Sequence, residues 1–71
     1  MKKIIQIEGM SCSHCAAAVT KALSEVSGTS GVKVHLKKNQ AVLKTDDSVT
    51  DAQLEKAVEE AGYKAVSISN G

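Results

Sequence analysis

The chain has no proline, no tryptophan and no phenylalanine, and Tyr63 is its single aromatic residue. A core without large rings has to be built from Ile, Val, Leu and Ala. Base-stacking aromatics are missing, and nine lysines against eight acidic residues leave a net charge of only +1. Strong nucleic-acid binding, which relies on clustered basic charge and stacking surfaces, is therefore not expected. No apolar run approaches the roughly 20 residues needed to span a bilayer, so direct membrane insertion is not expected either. Met1-Lys2-Lys3-Ile4-Ile5 opens like a secretion signal, but Gln6 and Glu8 interrupt the apolar run. The expectation is a cytoplasmic protein, a single domain over residues 1–71. A chain of this size buries only about 60 % of its unfolded surface. A modest stability of about 5 kcal/mol follows.

Cysteine is as scarce as the aromatics. The two that exist stand in Gly9-Met10-Ser11-Cys12-Ser13-His14-Cys15, where a strand-like run gives way to a helix-like one. Lys3 to Glu8 reads as a strand with Ile5 and Ile7 inward, and 9–14 as a loop. Residues 15–26 read as a helix with Cys15, Val19, Ala22, Leu23 and Val26 on one face. Residues 27–31, Ser-Gly-Thr-Ser-Gly, break it. Residues 32–37 alternate apolar and polar as a half-buried strand, 38–40 turn, and 41–45 return with Ala41 and Leu43 inward. Thr50 and Gln53 form a capping box, with Val49 and Leu54 at the positions of a hydrophobic staple. Leu54, Ala57, Val58 and Ala61 make the buried stripe of this second helix, and Gly62 is its left-handed C-terminal residue. A last strand covers 65–69, and Asn70-Gly71 is expected to fray. The order βαββαβ predicts an α+β, ferredoxin-like fold: a four-stranded antiparallel sheet with two helices on one face.

Two thiols on one turn can be a buried structural pair, a site for one soft metal ion, or a dithiol redox couple. Cysteines in a reducing compartment are more often metal-binding or catalytic than structural. The start of the first helix favours negative charge, so it should lower the thiol pKa and supply thiolate near neutral pH. Soft thiolates select Cu(I), and a structural zinc site would want four protein ligands that this chain cannot assemble. The redox reading uses the same thiolate. It suffers from the absence of proline, since a small thioredoxin-like oxidoreductase carries one in the active-site turn and another opposite it.

The run Gly9-Met10-Ser11-Cys12-Ser13-His14-Cys15, in this element order and with Gly62-Tyr63 late in the chain, resembles the heavy-metal-associated domain family over essentially the whole length. The resemblance is to the bacterial cytosolic copper chaperone type. The same domain also occurs as the N-terminal module of copper-transporting P-type ATPases. The Met-initiated frame favours the free-standing protein over an excised module. The likeness implies that Cys12 and Cys15 bind Cu(I), that no substrate is chemically converted, and that a P-type ATPase or its metal-binding domain receives the ion. A copper-responsive regulator is a second possible client. The apo protein is expected to be a monomer, with a copper-bridged dimer open to the loaded form.

Around the thiols, Met10 invites a thioether-ligand reading, but the family places it beneath the loop as a prop, and Met fills gaps well. Ser11 can donate near a thiolate, and it replaces the acidic residue of zinc- and cadmium-handling relatives. His14 lies between the cysteines, where three neighbouring side chains cannot all converge, so it is expected to tune the site without ligating. Tyr63 fills the core end or turns its hydroxyl to a cysteine, and the two are compatible. His35 reads as a solvated sheet residue. For docking, Ala16 and Lys21 lie nearest the loop, and the hairpin lysines Lys33, Lys37 and Lys38 are expected further off. Glu55, Glu59 and Glu60 make the second helix acidic.

Overall fold

The computed structural model describes residues 1–71. Its elements are β1 (Lys2–Glu8), α1 (Ser13–Ser24), β2 (Thr29–His35), a 3₁₀ turn (Leu36–Lys38), β3 (Gln40–Thr45), α2 (Asp51–Glu60) and β4 (Lys64–Asn70). The strands form one antiparallel sheet in the order β2-β3-β1-β4. One face of the sheet is covered by the helices, α1 against β2 and α2 against β4, with the helices also touching each other. This is the ferredoxin-like arrangement that the element order predicts. No helix is long and apolar enough to cross a membrane.

The core is aliphatic, as the missing rings require. Ile5, Ile7, Ala41 and Leu43 of the central strands pack against Val19, Leu23, Leu54 and Val58 of the helices. Burial of each larger side chain is worth about 1.5–3 kcal/mol. The capping box is present in both directions: the Gln53 amide N–H donates to Thr50 Oγ1 at 3.2 Å, and the Thr50 N–H to Gln53 Oε1 at 2.9 Å. Val49 and Leu54 of the staple are both buried.

Several boundaries differ from the sequence reading. The first helix starts at Ser13 and stops at Ser24, not at 15 and 26, because Cys12 itself takes the extended N-cap conformation and its carbonyl accepts from the N–H groups of Cys15 and Ala16. β2 begins at Thr29, inside the expected break. Gly31, at φ +60°, allows an irregularity between Ser30 and Lys33 that carries pairing through the glycine. The Thr29 hydroxyl also reaches the Leu23 and Val26 carbonyls at 2.8 and 2.7 Å, closing the end of α1. Leu36 and Lys37 leave the strand for the 3₁₀ turn, which ends at Asn39 in the left-handed conformation. The tail does not fray at Asn70: it pairs with Lys3, and the Gly71 N–H donates to the Lys2 carbonyl at 2.9 Å.

Three connections leave the sheet at one end: the β1–α1 loop, the β2–β3 turn and the α2–β4 turn. The Ile7 N–H donates to the Asn39 carbonyl at 2.7 Å, which ties the β2–β3 turn to the end of β1. The candidate site lies at this end.

Candidate metal centre

Cys12 is the N-cap of α1 and Cys15 sits in its first turn. One helical turn between them brings both side chains to the same edge, with Sγ···Sγ 3.1 Å. Both thiols are free, Cys12 exposed and Cys15 half-buried. The Cys12 side chain makes no capping hydrogen bond, so its sulfur is not used by the helix.

The Cys15 thiol is pulled below the ordinary thiol range, to about 6. The main cause is a hydrogen bond from the backbone N–H of Ser11. Hydrogen bonds from the Tyr63 hydroxyl and from the Cys12 thiol follow, and burial opposes them. All three donors favour the anion over the thiol. The Tyr63 hydroxyl is pushed up in return, because it donates to Cys15, is partly buried, and faces the charge of both cysteines. Ser11 therefore acts through its backbone.

Tyr63 is delivered by the end of α2. The Gly62 N–H bonds to the Glu59 carbonyl at 2.9 Å and the Tyr63 N–H to the Val58 carbonyl at 3.2 Å, the paired bonds of a Schellman motif. The ring then lies on the other side of the site, over Gly9. A Cβ at Gly9 would stand 3.3 Å from Tyr63 Cδ1, and Gly9 has φ +103°. Gly9 carries no side-chain chemistry, and the sequence reading passed over it. Its only signal was a glycine at the last turn before the thiols.

The other candidate residues lie at varying distances from this pair. Met10 is 6 % exposed and packs within the core beneath the loop. His14 is exposed on the first turn of α1, and no group of three His, Cys, Asp or Glu side chains comes together anywhere in the chain. Ala16 is half-buried beside Cys15, and Lys21 is exposed about 9 Å further along the helix at 1.5 Å per residue. The hairpin lysines are not all remote, contrary to the sequence reading. Lys37 and Lys38 lie in the turn at the thiol end of the sheet, and only Lys33 lies back along β2. The one sizeable groove runs between α1 and α2, lined by Ala18, Ala22 and Ala57 among others, and reaches neither thiol. The dithiol is thus an open edge, with no enclosed pocket to hold an organic substrate.

A family model described as the heavy-metal-associated domain matches residues 4–64. The chain belongs to the heavy-metal-associated domain family. Within the family it is 42 % identical over 66 residues to the copper chaperone CopZ of Enterococcus hirae, covering 92 % of this chain and 96 % of that one. Among solved structures it is similar to a CopZ metallochaperone, with TM-score 0.88 and 39 % identity over 93 % of this chain and all of that chain. It also resembles the N-terminal domain of PacS from Synechocystis PCC6803, with TM-score 0.83 and 35 % identity over 92 % of each chain.

Proposed function

We propose that the chain is a cytoplasmic copper chaperone that carries Cu(I) between Cys12 and Cys15 as cargo and hands it on without chemical conversion. One observation carries this reading: two free sulfurs 3.1 Å apart on an exposed edge, one already favoured as thiolate. Two soft donors suit a monovalent soft ion, and the absence of any third clustered ligand argues against a closed zinc site. An open edge also suits delivery. An incoming thiolate adds to the ion, a three-coordinate intermediate forms, and one original thiolate leaves with the site still accessible. Here Cys15 enters as thiolate at neutral pH, and loading releases whatever proton remains on the pair.

The partner we infer is the metal-binding domain of a copper-transporting P-type ATPase, which would present a matching dithiol. A copper-responsive regulator is a second client, and two copies can share one ion because both thiols stand at the edge. The likeness to a copper binding domain from HMA7, a P-type ATPase, with TM-score 0.85 and 27 % identity, supports the alternative that this chain is itself such an ATPase module. The depressed Cys15 thiol would equally serve a small dithiol oxidoreductase.

Anaerobic titration with Cu(I) against a competing chelator tests the reading, with zinc and mercury as comparisons. One tightly held Cu(I) per chain, displacing zinc, is expected. Catalytic turnover of a disulfide substrate, with only weak copper binding, would favour the oxidoreductase.

A further inference from the structure

The face of the sheet turned away from the helices has a charge pattern that metal carriage at the loop does not explain. Ile5 and Ala41 are buried under the helices, so the alternate positions of each strand point the other way. Register then aligns that open face in rows. Lys2 lies opposite Lys44, Lys33 opposite Val42 and thence Ile4, and Lys64 opposite Glu8. These four lysines are all exposed. Glu8 is the one acidic residue on any strand; every other acid lies on α2, in the loop before it, or, as Glu25, at the C-cap of α1. A net charge of +1 therefore hides a basic sheet face set against an acidic helix layer.

Two features indicate that the face is kept for contact. Lys2 and Lys44 stand directly opposite each other, a cross-strand pairing of like charges that destabilises the sheet. At the centre are Ile4 and Val42, and Val66 stands out at 58 % exposure beside the β1–β4 irregularity. The result is a flat surface about 20 Å by 14 Å, from the strand rise and spacing, apolar at its middle and lysine at its borders.

We propose that this open sheet face docks on an anionic lipid surface. The positive charges are spread over all four strands and are all lysine, with no arginine in the chain, and Glu8 is the one acid among them. Compact, strongly hydrated ammonium groups suit a fluid field of headgroups better than a fixed carboxylate or phosphate, which favours the arginine fork. No aromatic lies on the face, so single-stranded nucleic acid finds nothing to stack on. A second copy could offer its acidic helix layer, but head-to-tail stacking of unlike faces does not close. The acidic layer is repelled by the same membrane, so the chain sits sheet-down. The thiol edge, at one end of the sheet, then looks along the membrane plane.

Each lysine near such a surface multiplies partitioning about fivefold and Glu8 offsets one of the four, so half-binding falls near about 10 mM lipid. Flotation of the apo chain with vesicles tests this, which separates the outcome from copper binding. Vesicles of phosphatidylcholine with about 30 % phosphatidylglycerol are compared with phosphatidylcholine alone, at about 10 and about 500 mM salt. Binding is expected only to the anionic vesicles and only at low salt. Lys33→Glu and Lys44→Glu should each lower it more than tenfold, and Lys56→Glu, which makes the same change in net charge on α2, less than threefold. Should a glutamate variant lose its native circular dichroism, Lys33→Gln and Lys44→Gln take its place, with a loss of about fivefold each. No binding to anionic vesicles at low salt, equal losses for Lys44→Glu and Lys56→Glu, or tighter binding to a thymidine oligonucleotide than to the vesicles would overturn the proposal.

Discussion

The Tyr63 ring lies over the backbone of Gly9, and its hydroxyl helps to hold the Cys15 thiol below its ordinary range. Position 9 thus sets how near the ring can come to the thiols. In Gly9→Ala the new Cβ would meet Tyr63 Cδ1 at 3.3 Å, at a φ of +103° that side chains rarely adopt. Backbone strain of this kind costs about 1–3 kcal/mol. The variant should melt about 4–8 °C lower per kcal/mol for a domain of this size. Its Cys15 should also titrate higher than in the parent, because the tyrosine donor is displaced. Thermal melts and the pH dependence of alkylation check the two effects; a lower melting temperature with Cys15 unmoved would show that ring and loop are not coupled.

Tyr63→Phe separates packing from the hydroxyl. The ring stays over Gly9, but Cys15 loses one of the donors that hold it as thiolate. Alkylation of Cys15 by iodoacetamide, followed against pH, should shift its midpoint upward from about 6. Folding should be nearly unchanged. An identical midpoint would remove Tyr63 from the site.

The same thiol makes stability depend on pH. Its folded pKa, about 6, lies below that of an unfolded thiol, near 8.5. The unfolded chain therefore binds more protons between these values, and stability rises with pH across that window. The contribution is complete above the unfolded value and is lost as pH falls through about 6. Melting temperature of the reduced apo protein should climb from pH 6 toward 9, and Cys15→Ser should flatten the climb. A flat profile in the parent would contradict the depressed thiol.

Much of the architecture was legible because it rests on periodicity and caps. The α2 cap, staple and stripe are strong local signals, and all of them are present. The errors fall where a backbone conformation, and not a side-chain pattern, decides. Ser-Gly-Thr-Ser-Gly looks like a break, yet Gly31 carries the strand through it. Cys12 has no strong capping preference, yet its extended backbone starts the helix two residues early. At the site, Cys12 and Cys15 are visible in the sequence as a pair. The backbone N–H of Ser11 and the seat that Gly9 provides for Tyr63 are not, since neither involves a side chain of its own. The place of Lys37 and Lys38 at the thiol end needed the strand register, which no local pattern encodes.

That register changes the expected docking surface. Lys37 and Lys38 share the thiol end with the loop, whereas Lys21 is nearly two turns along α1. Transfer to an acidic partner should slow as salt rises from about 10 to about 200 mM, as the Debye length falls from about 30 Å to below 10 Å. Lys37→Glu should slow it at least as much as Lys21→Glu. Rates independent of salt and of both lysines would make the contact an apolar one, through Ala16 and the Tyr63 ring.

The central claim is that Cys12 and Cys15 together hold Cu(I), and it is tested most directly by measuring Cu(I) affinity of Cys12→Ser and Cys15→Ser against a competing chelator, anaerobically and at equal protein concentration. Each single variant should lose affinity by orders of magnitude, and the double variant should lose binding altogether while keeping a native circular dichroism spectrum and a cooperative melt. A monomeric Cys12→Ser that kept the parent's affinity would contradict the dithiolate site.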